Sequence, residues 1–206
     1  MGNTNSFREK LTDYNLNEDE FFKVLTETKS YIAGSFALSA YLKDNKIDSF
    51  DPNDLDIFVE KNESNSKLKD YLVSKGYTID KHLTESDYGD NKTIVEIFYY
   101  IKEDKNIQII VINVDPVKYI DAFDLNCCKT YYDNASQKII CLDKNIFERK
   151  TNFNKDCVKY NSVKRSNKYI KRGFKIFLRD RDITEVCKFC EINKCSQEKF
   201  NNFLNK

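Results

Sequence analysis

The stretch YIAGSFALSAYLKDNKIDSFDPNDLDIFVE, residues 31–60, decides the fold. It contains a short apolar segment that ends at Gly34, a helix-like segment, and then Asp54 and Asp56 within the apolar run LDIFV. Side chains alternate along a strand, so Asp54 and Asp56 are expected to point to the same face. Two adjacent carboxylates repel each other, and burying them without a partner costs several kcal/mol. This acidic pair, Asp54 and Asp56, therefore predicts a divalent cation site, since Mg²⁺ commonly binds one or two carboxylates together with substrate phosphates.

The dipeptide Gly34-Ser35 stands where the first apolar segment meets the helix-like segment. Glycine allows the backbone to approach a ligand closely. A helix that begins at this point presents free N–H groups and the positive end of its dipole. The dipeptide therefore predicts a phosphate-binding turn beside the acidic pair.

Ala33-Gly34-Ser35 followed by Asp54-Leu55-Asp56 resembles the nucleotidyltransferase superfamily, which has the fold of DNA polymerase β. The stretch KYIKRGF, residues 168–174, is similar to one in short nucleotidyltransferase-domain proteins of large DNA viruses. The resemblance covers roughly residues 30–142. It implies metal-dependent transfer of a nucleoside monophosphate from an NTP, such as ATP, to a hydroxyl acceptor, with release of pyrophosphate. The acceptor could be an RNA 3′ end, a protein or a small molecule. Two Mg²⁺ or Mn²⁺ ions are implied as cofactors.

The superfamily pattern includes a third carboxylate on a later strand, and three residues are candidates for it. Asp115 is explained as a helix cap, because Pro116 follows it. Glu96 alternates with apolar neighbours and could simply lie on the solvent face of a strand. Asp124 lies between two apolar residues, as in the superfamily motif. The resemblance therefore implies that Asp124 joins the acidic pair as a catalytic and metal-binding residue, and Glu96 remains an alternative.

The C-terminal stretch NSVKRSNKYIKRGFKIFLRDR, residues 161–181, is strongly basic. Its apolar residues repeat at helical spacing, which predicts an amphipathic helix with one cationic face. They are Val163, Ile170, Phe174 and Phe177, and Gly173 between them could break the helix or allow close packing. The cationic face could contact a triphosphate, with Lys171 and Arg172 as nucleotide-binding residues, or it could contact a nucleic acid backbone. It could equally be an ordinary solvated face. An alternative function follows, in which a catalytically inactive protein binds RNA or a protein partner through this helix.

Seven cysteines in a chain without a leader-like or membrane-spanning apolar run indicate a reducing, cytoplasmic setting. Cys187, Cys190 and Cys195 have the spacing of a zinc half-site, but a structural Zn²⁺ site needs four ligands. Cys157, His82 or a residue elsewhere would have to complete it. The alternative is that these thiols are small buried apolar groups.

The N-terminus contains a glycine at position 2 and Ser6, which fits the loose pattern for N-myristoylation at Gly2. The alternative is a disordered polar start.

Length and charge indicate the overall organisation. A chain of 206 residues supports one compact domain with a small appended one, and a net charge of +1 creates no global field. We expect an α+β fold with a mixed sheet of about five or six strands flanked by helices. Residues 1–150 are expected to form the core, which contains the motifs at 31–60 and 123–126. Residues 151–206 are expected to form a helical, basic and cysteine-containing extension packed on that core.

Overall fold

The computed structural model describes residues 5–87, 93–154 and 160–204. The chain divides into two compact units. The first unit takes in residues 1–120 and 130–141, and the second takes in residues 121–129 and 142–206. Over the described ranges, no helix is both long enough and apolar enough to span a membrane.

The first unit is built on a seven-stranded mixed sheet in the order β3-β4-β5-β2-β1-β6-β7. In this sheet β2 and β5 are parallel neighbours, and the other neighbouring strands are antiparallel. The strands are β1 (Tyr31–Ala33), β2 (Leu55–Glu60), β3 (Thr78–Thr84), β4 (Ile94–Lys102), β5 (Lys105–Ile112), β6 (Thr130–Asp133) and β7 (Lys138–Cys141). The α+β class with a mixed sheet flanked by helices is confirmed.

Among the described residues, five helices accompany this sheet. They are α1 (Asn5–Thr12), α2 (Asp19–Glu27), α3 (Ser35–Asp44), α4 (Asn65–Ser74) and α5 (Pro116–Asp121). Asp115 caps α5, because its Oδ1 accepts a hydrogen bond of 2.9 Å from the N–H of Lys118. Helix α1 was not predicted. Its Phe7 and Leu11 are fully buried, so this segment belongs to the core rather than to a polar tail.

The two faces of β2 have different surroundings. Leu55, Ile57 and Val59 belong to the main hydrophobic core. Phe36 and Ala40 of α3 lie in the same core, so α3 packs on this face of the sheet. Because side chains alternate along a strand, the acidic pair lies on the opposite face. The core therefore holds the strand in place while the carboxylates remain half-buried.

The described part of the second unit combines a three-stranded sheet in the order β10-β9-β8 with three helices. The strands are β8 (Lys150–Asn152), β9 (Lys175–Leu178) and β10 (Arg181–Asp182), and the helices are α6 (Tyr160–Lys171), α7 (Thr184–Ile192) and α8 (Gln197–Leu204). The expectation that Gly173 could break the predicted helix is confirmed, because α6 ends at Lys171 and Phe177 lies in β9. Gly173 adopts a left-handed φ of +85°, which ends α6 and turns the chain into β9.

Candidate functional site

Gly34 joins β1 to α3 in a conformation that only glycine adopts readily. Its φ is +70° and its ψ is −136°. Its N–H donates a 2.9 Å hydrogen bond to the carbonyl of Thr130, and its carbonyl accepts one of 3.0 Å from Leu38. The N–H of Gly34 is therefore engaged with the sheet. A ligand at this turn would meet the N–H groups of the first turn of α3, beginning with Ser35, which lack intrahelical partners.

Ser35 supplies a hydroxyl at the same place. The residue is 6% exposed, and within the described ranges its hydroxyl makes no hydrogen bond. No side chain of the described residues caps α3 either. The beginning of α3 thus combines N–H donors, the positive helix end and the hydroxyl of Ser35. This combination suits an anionic group such as a phosphate.

The strand register brings the acidic pair to this helix start. Ala33 of β1 pairs with Asp56 of β2. A Cβ placed on Gly34 would stand 3.6 Å from Oδ2 of Asp56, so the carboxylate lies directly beside the turn. The structure therefore brings together Gly34, Ser35 and Asp56, as the sequence predicted, with Asp54 two positions away on the same face.

Gln108 is a member of the site that the sequence did not indicate. It pairs in register with Asp56 across β2 and β5, and its Nε2 donates a 3.2 Å hydrogen bond to Oδ2 of Asp54. The amide thus holds one carboxylate of the pair in a defined orientation. In the sequence, Gln108 is only a polar residue at an alternate position of NIQIIVI. The strand register shows that it lies beside the acidic pair.

The acidic pair produces a negative field that reaches into the surrounding protein. Burial, and after it the charge of Asp54, raises the pKa of Tyr14 to about 12. Asp56 adds a smaller contribution in the same direction. A cation bound to the pair would remove part of this field, which is the physical reason to expect one here.

The donor set fits Mg²⁺ only if the substrate contributes ligands. Mg²⁺ prefers oxygen ligands and commonly takes one or two carboxylates with phosphates and water. Asp54 and Asp56 supply the carboxylates. In the part of the chain that the structure describes, no group of three or more His, Cys, Asp or Glu side chains could hold an ion by itself. Mg²⁺ or Mn²⁺ would therefore bind together with a phosphate ligand.

The structure gives Asp124, the favoured third carboxylate, local partners in the second unit. It is 7% exposed, its Oδ2 accepts a 2.7 Å hydrogen bond from Ser162, and its Oδ1 pairs with Arg165. Both carboxylate oxygens are thus engaged, and the catalytic and metal-binding role of Asp124 stays a prediction.

Glu96 does not lie next to the acidic pair on the sheet. It is opposite Val111, three residues along β5 from Gln108, and it contacts His82 at 3.2 Å. The position beside Asp56 on β5 is therefore occupied by an amide and not by this carboxylate.

Lys171 and Arg172, the predicted nucleotide-binding cations, lie at the end of α6. The guanidinium of Arg172 lies 5.2 Å from the centre of the Tyr169 ring. The carbonyl of Arg172 accepts a 3.2 Å hydrogen bond from Nη1 of Arg149. These contacts place Arg172 within the second unit, and the nucleotide-binding role of both cations stays a prediction.

The cysteines of the zinc hypothesis are buried thiols. Cys187, Cys190 and Cys195 are at most 5% exposed. Burial raises the pKa of Cys187 to about 12 and that of Cys190 to about 11. Zinc binding by these thiols stays a prediction. Cys157 and the predicted myristoylation site at Gly2 lie outside the described residues. Cys127 and Cys128 are buried in a 3₁₀ turn.

Comparison with known proteins corrects the family assignment. A family model described as Gabija anti-defense 2 family protein matches residues 3–152, which is more than half of the chain. No curated protein matches. The identification with the nucleotidyltransferase superfamily, including the proteins of large DNA viruses, was wrong, because this match names a different and specific family. It rested on two short motifs, whereas the match extends over nearly the whole first unit. The chain belongs to the Gabija anti-defense 2 family.

Proposed function

We propose that this chain counteracts a Gabija defense system, and that it does so as a metal-dependent enzyme that transfers a nucleoside monophosphate from an NTP to a hydroxyl acceptor. The first part is supported by the name of the family. The second part is carried by one observation, the pairing of Ala33 with Asp56, which sets two carboxylates beside the start of α3.

The physical argument concerns the charges at this point. The start of α3 attracts an anion, whereas the acidic pair repels one. A phosphate about 4 Å from a carboxylate is repelled by roughly 4 kcal/mol at an effective dielectric constant of 20. A divalent cation between them converts this repulsion into attraction. The arrangement is therefore suited to a metal-bound polyphosphate and poorly suited to a free anion.

The residues have distinct roles in this proposal. Asp54 and Asp56 would hold Mg²⁺, which supplies charge neutralisation for the departing pyrophosphate when it is bound. Ser35 and the N–H groups of α3 would bind the phosphates, and Gln108 would orient Asp54. An ionised carboxylate of the pair can accept the proton of the attacking hydroxyl. Catalysis would come from positioning and electrostatic stabilisation, without a covalent enzyme intermediate.

The chemistry is tested by label transfer from each of four α-³²P-NTPs, with Mg²⁺ or Mn²⁺. Total RNA, a protein extract and a metabolite pool serve as acceptors. We expect label to enter one pool and to disappear with the Asp54→Asn, Asp56→Asn double variant. The matched control is Asp48→Asn, Asp51→Asn, which removes two exposed carboxylates from the preceding loop. Equal transfer by the acidic-pair variant, or no transfer by the folded wild-type protein under any condition, would refute the chemistry.

The anti-defense role is tested separately in cells that carry a Gabija system and are challenged with phage. Expression of the chain should restore plaque formation, and the acidic-pair variant should not. Restoration by both proteins would retain the anti-defense role and reject the acidic pair as its cause. Failure of the wild-type chain to restore plaques would reject the anti-defense role itself.

A further inference from the structure

The described surface of α6 has one strongly cationic face. From residue 162 onward, the side that faces away from the packed residues carries Lys164, Arg165, Lys168 and Lys171, and Arg172 follows at the end of the helix. Ser162, Val163, Ser166, Asn167 and Tyr169 are buried on the other side. We propose that this cationic face binds the phosphate backbone of a nucleic acid. This inference is independent of the acidic pair.

The charge of the chain is divided unequally between the two units. The second unit contains 18 Lys and Arg against 10 Asp and Glu, a net charge of +8. The first unit contains 16 against 23, a net charge of −7. The overall charge of +1 therefore conceals a strongly basic unit. Such an asymmetry is typical of a chain that binds a polyanion.

Folding by itself does not account for this face. Lys168 lies four residues from both Lys164 and Arg172, and like charges at this spacing destabilise a helix. Arg165 has a structural role as well, because it pairs with the buried carboxylate of Asp124. A solvated helix usually mixes charges of both signs, whereas a phosphate-binding helix benefits from one sign.

Neighbouring cations extend the face beyond the helix. Nη1 of Arg149 donates to the carbonyl of Arg172, and its guanidinium lies 5.1 Å from the centre of the Phe174 ring. The exposed Lys175 follows at the start of β9. From Lys164 to Lys171 the helix rises about 10 Å, so the face can meet more than one phosphate of a strand.

A nucleic acid fits this face better than an acidic protein does. Protein interfaces usually have an apolar or aromatic centre and contain few lysines. Among the described residues of α6, the cationic arc includes no apolar side chain. Backbone phosphates need no such centre, because Lys and Arg supply the binding energy by releasing counterions.

The test is fluorescence anisotropy with the full chain and a labelled RNA of about 20 nucleotides, the same sequence as single-stranded DNA, and a DNA duplex. The variant is Lys164→Gln, Lys168→Gln, Lys171→Gln. We expect at least a tenfold loss of affinity. The slope of log Kd against log salt should decrease by about 2 for a single strand, because three phosphate contacts are lost. The three probes identify which nucleic acid is bound.

The matched control is Lys144→Gln, Lys194→Gln, Lys199→Gln, which removes the same charge from exposed positions of the same unit outside α6. Circular dichroism confirms that both variants are folded, and Lys171→Gln alone should already reduce the slope by about 0.7. Equal losses by the variant and the control would overturn the proposal. So would equally tight binding of a poly-glutamate peptide at the same ionic strength.

Discussion

Replacing Gly34 with alanine tests the geometry on which the site depends. Its φ of +70° and ψ of −136° lie in a region that L-residues avoid. Holding a non-glycine residue there costs about 1–3 kcal/mol. Alanine also reduces the conformational freedom of the unfolded chain, which raises the free energy of unfolding by about 0.4–1 kcal/mol. The net loss in the free energy of unfolding should be about 1–2 kcal/mol, measured by urea denaturation at room temperature.

The added methyl group should also affect the ligand. It would stand 3.6 Å from Oδ2 of Asp56, an ordinary van der Waals contact that adds no steric cost. It would nevertheless fill the space between α3 and the carboxylate. Binding of a metal-bound NTP, measured by calorimetry, should therefore weaken by tenfold or more.

Gly173→Ala is the control for this prediction. Gly173 has a φ of +85°, and no atom lies within 4 Å of the point that a methyl group would occupy, so the variant should lose about 1 kcal/mol of stability. Its binding of NTP should not change. The reasoning is refuted if Gly34→Ala keeps wild-type stability, since the backbone would then not require glycine. It is also refuted if both variants bind NTP equally well.

Four further predictions concern other contacts. Gln108→Leu removes the amide that donates a hydrogen bond to Asp54, so calorimetry should show roughly tenfold weaker Mg²⁺ binding in the presence of NTP. An unchanged Mg²⁺ affinity would show that Gln108 does not orient the carboxylate for metal binding. Tyr100→Phe removes a buried hydroxyl that has no hydrogen-bond partner among the described residues, so the free energy of unfolding in urea at neutral pH should rise by about 1 kcal/mol. Tyr77→Phe removes a 2.9 Å hydrogen bond to the carbonyl of Tyr14, so the free energy of unfolding should fall by a similar amount. Burial raises the pKa of Tyr100 from 10.0 to about 12, so above pH 10.0 the unfolded chain releases the phenol proton more readily than the folded chain and the free energy of unfolding falls as the pH rises toward 12. The Tyr100→Phe variant should lose less stability over this range. Arg165→Ala should lower the free energy of unfolding by about 1–3 kcal/mol, because it leaves the carboxylate of Asp124, which is 8% exposed, without its cation. Asp124→Asn should lower it by less, because the side chain of Arg165 is 46% exposed and water can solvate its charge. The reverse order of stabilities would contradict this account.

The local pattern of the chain was sufficient for the elements next to the acidic pair. Alternation in LDIFV predicts β2 and the shared face of the acidic pair, and the helix α3 follows from its spacing of apolar residues. These features depend on residues only a few positions apart. The end of α6 could not be read from apolar periodicity, because the periodicity continues past Lys171. The left-handed turn at Gly173 ends the helix.

The family could not be recognised from two short motifs, because a glycine turn and a pair of aspartates recur wherever phosphate chemistry or a tight strand-to-helix turn is needed. The match over residues 3–152 draws on many more positions. The motifs therefore located a site with a definite geometry but did not identify the family to which the chain belongs.

The sequence by itself determined the elements around the acidic pair, the strand face on which the two aspartates lie, and the position of the glycine turn. These features follow from side-chain alternation and from backbone preference. Tertiary structure alone decided which distant residues meet. Gln108 donates a hydrogen bond to Asp54, which is 54 residues away in the sequence. Arg165 pairs with Asp124, which is 41 residues away. Such pairings depend on strand register and on packing between remote segments. No short-range pattern encodes them, because the free energy that selects them comes from burial of the whole core.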